Sequence, residues 1–203
     1  MRQCAHMRAL LVASIVFAVG CRPDQGTASP PTPEDTPAPS SADTPPPDDP
    51  VPSCAALPQW RYEHIALPPE FAPSLPRGAE TLWFAPGMFK PDADDYFTYA
   101  FSLDWDQPFE PTAAALEPVL VDYYRGLMAA VAGGEPIREA SVRVGEDGKT
   151  AVVVMSDEFT KTPEIEVSLR IYGDAECLRV FATAKPSDAT WSALGSADGC
   201  LCR

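Results

Sequence analysis

The most reactive side chains are the thiols of Cys4, Cys21, Cys54, Cys177, Cys200 and Cys202, in a chain of 203 residues. Cys200 and Cys202 are separated by one residue and could present two thiolates to a soft metal ion or act as an exchanging redox pair. Zinc asks for four sulfur or nitrogen ligands, and beyond residue 20 the chain carries a single histidine, His64. Copper(I) accepts two thiolates but requires them reduced. In an exported domain, the even set Cys54, Cys177, Cys200 and Cys202 reads as two disulfides. A Cys200 to Cys202 bridge would close a very small ring. Cys54 is therefore expected to take one tail cysteine and Cys177 the other, and no metal or cofactor is expected.

Acid–base chemistry would fall to His64 with Glu63, Asp104 or Asp106, provided that a cleft brings imidazole and carboxylate within hydrogen-bond reach. Asp104 and Asp106 share one face at a strand end, where paired acids are usually solvated. Asp92, Asp94 and Asp95 offer hard oxygen at a density suited to calcium. They lack the glycine and closing glutamate of a calcium loop, so a solvated acidic turn is expected. No serine stands in a Gly-x-Ser-x-Gly or Ser-x-x-Lys arrangement, and no glycine loop could cradle phosphate. No catalytic set emerges. Met88, Phe89 and Tyr96, beside Asp92, Asp94 and Asp95, would form a partner-binding patch if they remain exposed.

Positioning these residues falls to a chain dominated by period-two alternation. Trp60, Tyr62 and His64 alternate before Ile65 and Leu67 take the opposite parity, which predicts a strand with a bulge. Glu80–Ala85 is a second strand. Tyr96–Trp105 is the clearest, with Phe97, Tyr99, Phe101, Leu103 and Trp105 on one face and polar or small residues on the other, as in a half-buried strand. A helical stripe follows through Leu116, Val119, Leu120, Tyr123, Tyr124, Leu127, Met128 and Val131. Thr112 is its expected N-cap and Gly133-Gly134 its stop. Pro118 either opens a helix near Glu117 or kinks a longer one. Four more strands are expected at Ile137–Val144, Thr150–Ser156, Glu164–Tyr172 and Cys177–Ala184, the first pair joined by an Asp147-Gly148 turn. The expected fold is α+β: a mostly antiparallel sheet of six or seven strands with one long amphipathic helix packed on it.

Residues 22–53 contain 11 of the 24 prolines and nothing able to form a core. They read as an extended, partly polyproline II tether, roughly 100 Å long at most. The net charge of −14 divides into +2 over residues 1–20, −5 over the tether, and −11 over residues 54–203 (12 basic, 23 acidic). Nucleic acid is thereby excluded as a partner, because binding it needs lysines and arginines that neutralise phosphate.

Met1–Arg8 is basic, and Ala9–Gly20 is an uncharged apolar run of twelve residues. As a helix that run spans about 18 Å, short of the ~30 Å bilayer core, so it reads as a signal peptide over residues 1–20. Ala18-Val19-Gly20-Cys21 resembles the lipobox of bacterial lipoprotein precursors, with Ala18 where leucine is usual. The resemblance implies cleavage before Cys21, acylation of its thiol with a chain such as palmitate, and anchorage in the bilayer. Arg22, where aspartate would signal retention, implies outer-membrane sorting. The expected organisation is a signal peptide (1–20), a lipid-anchored tether (21–53) and one globular domain (54–203). The order of elements in that domain is loosely similar to the PsbP-like α+β family. The function expected is that of a membrane-tethered envelope lipoprotein with a non-catalytic domain that binds a protein or cell-wall partner. The alternatives are an envelope enzyme using His64 and a carboxylate, and a thiol or metal protein using Cys200 and Cys202.

Overall fold

The computed structural model describes residues 54–202. The expected signal peptide (1–20) and tether (21–53), with Cys4 and Cys21, lie outside the described residues. The seven strands are β1 (Arg61–Leu67), β2 (Gly78–Phe84), β3 (Tyr99–Trp105), β4 (Ser141–Val144), β5 (Thr150–Asp157), β6 (Thr162–Gly173) and β7 (Cys177–Thr183). They form one antiparallel sheet in the order β1-β2-β3-β7-β6-β5-β4. Two helices accompany it, α1 (Ala113–Ala132) after β3 and α2 (Asp188–Gly195) after β7.

Residues directly opposite across a ladder share a face, so the register sorts the side chains into two layers. One face carries the row Leu82, Phe101, Val180 and Ile171, all buried. Against it α1 buries Leu116, Leu120, Tyr123, Tyr124 and Met128. Thr112 caps the helix, its hydroxyl accepting from the Ala115 N–H, and Gly133 ends it in the left-handed region. Pro118 lies inside it. Gly126 is where α1 meets the loop before β2: a Cβ there would come within 1.9 Å of the Phe71 carbonyl oxygen.

The opposite face carries the row Trp83, Ala100 and Phe181. It is covered by Cys54, Leu57, Leu194, Ala197, Cys200 and Leu201. This layer departs from the single-helix expectation. The segment after Ala184 winds into α2, capped by Ser187, and a 3-10 turn at Asp198–Cys200. β3 is consequently buried on both faces, Ala100 and Ser102 included. It starts three residues later than alternation predicts because Phe97 adopts a positive φ of 47°, a conformation closed to regular strands. β1 pairs with β2 in continuous register without a bulge. Its change of parity reflects two covered faces: Tyr62 leans on Trp83, while Ile65 and Leu67 join the α1 layer.

Two disulfides close the second layer, Cys54–Cys200 and Cys177–Cys202, with Cα–Cα distances of 5.8 and 5.9 Å. Cys200 and Cys202 thus stand in separate bridges, not with each other. No helix among the described residues is long and apolar enough to cross a membrane.

Candidate binding face

The sequence candidates for chemistry are scattered. His64 is exposed on β1, its Nδ1 3.2 Å from Thr81 Oγ1. Glu63 points to the opposite face and pairs with Arg61 at 3.0 Å, so it cannot serve His64. Asp104 does share the face of His64, two strands away. Burial raises its carboxyl above the ordinary range, opposed by the Ser102 hydroxyl at 3.1 Å and by the charge of His64. Asp106 is exposed beyond the end of β3. Neither His64, Asp104 nor Asp106 lines the surface hollow beside Arg143 or the one beside Tyr172.

The aromatic and acidic loop is not the patch its sequence suggests. Met88 and Tyr96 are each only 4% exposed and belong to the core. Tyr96 turns inward because its hydroxyl donates to the buried Asp157 at 2.6 Å. Phe89 is half-buried between Phe84 and Phe159, with the Arg61 guanidinium 5.6 Å from its ring centre. Asp95 accepts from the Gly87 N–H at 2.9 Å and closes the turn. Asp92 and Asp94 remain as solvated acids.

A different surface carries the exposed aromatic character. Tyr172, at 43%, is the exposed large hydrophobic residue among those described. It sits on β6 opposite Arg179 of β7, and Arg170 lies opposite Phe181. The Tyr172 ring leans on Phe181 with centroids 5.5 Å apart, which fixes it while leaving it accessible. Arg179 donates to Asp198 at 2.7 Å. Arg170 stacks over Trp191 of α2, 4.1 Å from the ring centre, a geometry stabilised by the ring quadrupole. Tyr172, Arg179, Phe181, Gly195 and Asp198 line an open hollow of ≈ 340 Å³. A second hollow, of ≈ 320 Å³ beside Arg143, Thr150 and Val152, has no aromatic wall. Tyrosine, tryptophan and arginine are the residues that most often dominate binding energy at interfaces.

The parity that buries Leu169 and Ile171 marks Arg170 and Tyr172 as outward-facing, so half of this face was within reach of sequence reasoning. The other half depends on α2, whose four-residue spacing sets Trp191 and Gly195 on one side.

One buried group also escaped the sequence reading. Glu80 is 0% exposed on the α1 face of β2. Its Oε1 accepts from the Tyr123 hydroxyl at 2.7 Å, and its Oε2 has no partner. Burial pushes its carboxyl up to about 8, against the Tyr123 hydrogen bond, with nearby Glu63 adding to the rise. Burial likewise holds the Tyr99, Tyr123 and Tyr124 hydroxyls well above their ordinary range. The parity of Glu80 with Leu82 and Phe84 was the available signal.

A scan against protein-family models and searches of curated proteins and of solved structures find nothing that matches this chain.

Proposed function

We propose that this chain is an envelope lipoprotein, anchored through an acylated Cys21, whose domain binds a cell-envelope component through the Tyr172 face. The observation that carries the binding role is the hollow itself. Tyr172, accessible and leaning on Phe181, lines it with the Arg179–Asp198 pair, and Arg170 stacked on Trp191 lies on the same sheet face. The lipobox-like sequence ending at Cys21 supports the anchor, and the proline-rich segment 22–53 supplies reach from a bilayer. Outer-membrane sorting follows from Arg22 by the same resemblance. The separation of His64 from Glu63, and the position of His64 outside both hollows, favours binding over acid–base catalysis.

Mass spectrometry of the chain extracted from bacterial membranes tests the anchor, with loss of residues 1–20 and an acyl mass on Cys21 expected. The binding role is tested with the full chain carrying Cys21→Ser, so that lipid does not contribute. Saturable association with washed envelope fractions is expected, weakened at least tenfold by Tyr172→Ala. Equal association of both forms would remove the Tyr172 face as the binding site.

A further inference from the structure

We infer that the hollow between β6, β7 and α2 is a subsite for one residue of a neutral glycan chain, with Tyr172 as its stacking platform. The inference rests on the binding role proposed above and names the chemistry of its ligand. A pyranose ring presents an apolar face of C–H groups bordered by hydroxyls that both donate and accept. The hollow answers each part. Tyr172 offers a ring held from behind by Phe181, at a centroid distance of 5.5 Å. That contact limits the freedom the ring has left to lose when a sugar stacks on it.

Beside the ring, Arg179 and Asp198 stand as a hydrogen-bonded pair at 2.7 Å. A guanidinium only donates and a carboxylate only accepts. Together they meet a hydroxyl, which does both. Their mutual neutralisation leaves a polar wall without strong net charge. The volume, ≈ 340 Å³, lies at the small end of ligand pockets, which run from about 300 to 1,000 Å³.

Two other ligand classes fit less well. A polyanion would meet a domain carrying 12 basic and 23 acidic residues, which repels negative charge at long range, and in the hollow itself the lining arginine, Arg179, is already paired with Asp198. An apolar peptide side chain would leave the charged heads of Arg179 and Asp198, which form one wall of the hollow, without the partners that a hydroxyl supplies.

Gly195 supplies a probe that spares the contacting residues. A Cβ built there meets nothing within 4 Å, so a large side chain can be placed at the rim without displacing the core. The test uses the full chain with Cys21→Ser, titrated with hexasaccharides of β-1,4-linked N-acetylglucosamine, β-1,4-linked glucose and α-1,4-linked glucose. Calorimetry and tryptophan emission, to which Trp191 contributes, give the readout. At least one of the three is expected to bind saturably, with affinity lowered at least tenfold by Tyr172→Ala and by Gly195→Trp. Unchanged thermal melting of Gly195→Trp shows that its loss is local. Absence of binding by all three sugars overturns the glycan assignment, as does equal binding by wild type and Gly195→Trp. If the sugars fail while Tyr172-dependent association with envelope fractions persists, the binding role stands and its ligand is not a neutral glycan.

Discussion

Replacing Glu80 by glutamine should abolish a specific part of the pH dependence of stability. Glu80 is fully buried with one hydrogen bond for two oxygens. Its carboxyl is raised from an ordinary 4.5 to about 8. Between those values the folded chain holds a proton that the unfolded chain releases. Stability from this group is therefore complete below about 4.5 and falls as pH rises through 8. At about 1.4 kcal/mol per pH unit, the interval amounts to roughly 5 kcal/mol at most. That is a large share of the 5–15 kcal/mol typical of a domain.

Glutamine keeps an acceptor for Tyr123 and cannot ionise. Urea unfolding followed by circular dichroism at half-unit steps from pH 5 to pH 9, with both disulfides intact, reads the difference. Glu80→Gln should lie within about 1 kcal/mol of wild type at pH 5. At pH 9 it should be the more stable by several kcal/mol. Asp104, raised by burial, and Glu158 and Asp174, lowered by hydrogen bonds, act in both proteins and cancel, whereas Glu63 is coupled to Glu80 and its relief from a like charge adds to the variant's advantage at high pH. Parallel curves would refute the assignment of a protonated, buried Glu80.

Three further outcomes follow from the packing. Replacing Cys54 and Cys200 by serine should cost more stability than replacing Cys177 and Cys202. Their sequence separations are 146 and 25, and the loop-entropy model gives about 5 and about 3.5 kcal/mol respectively; thermal melts of the two double variants decide it. Gly126→Ala should destabilise by about 1–3 kcal/mol, since its Cβ would drive into the Phe71 carbonyl, whereas Gly195→Ala should melt within about 0.5 kcal/mol of wild type. Thr112→Ala removes the α1 cap and should lower the denaturant midpoint by an amount equivalent to about 1 kcal/mol.

Most of the architecture was legible because alternation is a strong signal when one face is buried. Ile165, Val167, Leu169 and Ile171 marked β6, and Leu116, Leu120, Tyr123 and Tyr124 marked the helix. Cysteine spacing narrowed the pairing to two choices without deciding between them, since the choice depends on where the tail crosses the sheet. What failed shares one cause. The segment after Ala184 has no apolar period long enough to announce a helix, and α2 is only eight residues long. Without that second layer, Ser102 and Ala100 looked solvated, and the Trp191 side of the binding face had no place. The aromatic loop misled for a related reason. Tyr96 is held inward by Asp157, which lies 61 residues further along the chain, a contact that no local pattern contains.

The binding role is tested most directly by photo-crosslinking in intact cells, from a benzophenone side chain placed at Tyr172 or, as a control, at Arg125 on α1. The two positions belong to opposite layers of the sheet, and both are exposed. Discrete crosslinked products from position 172, absent from position 125 and lost when Gly195→Trp is added, are the expected result. Equal products from both positions, or products from 172 that survive Gly195→Trp, would contradict a binding site in the hollow between β6, β7 and α2.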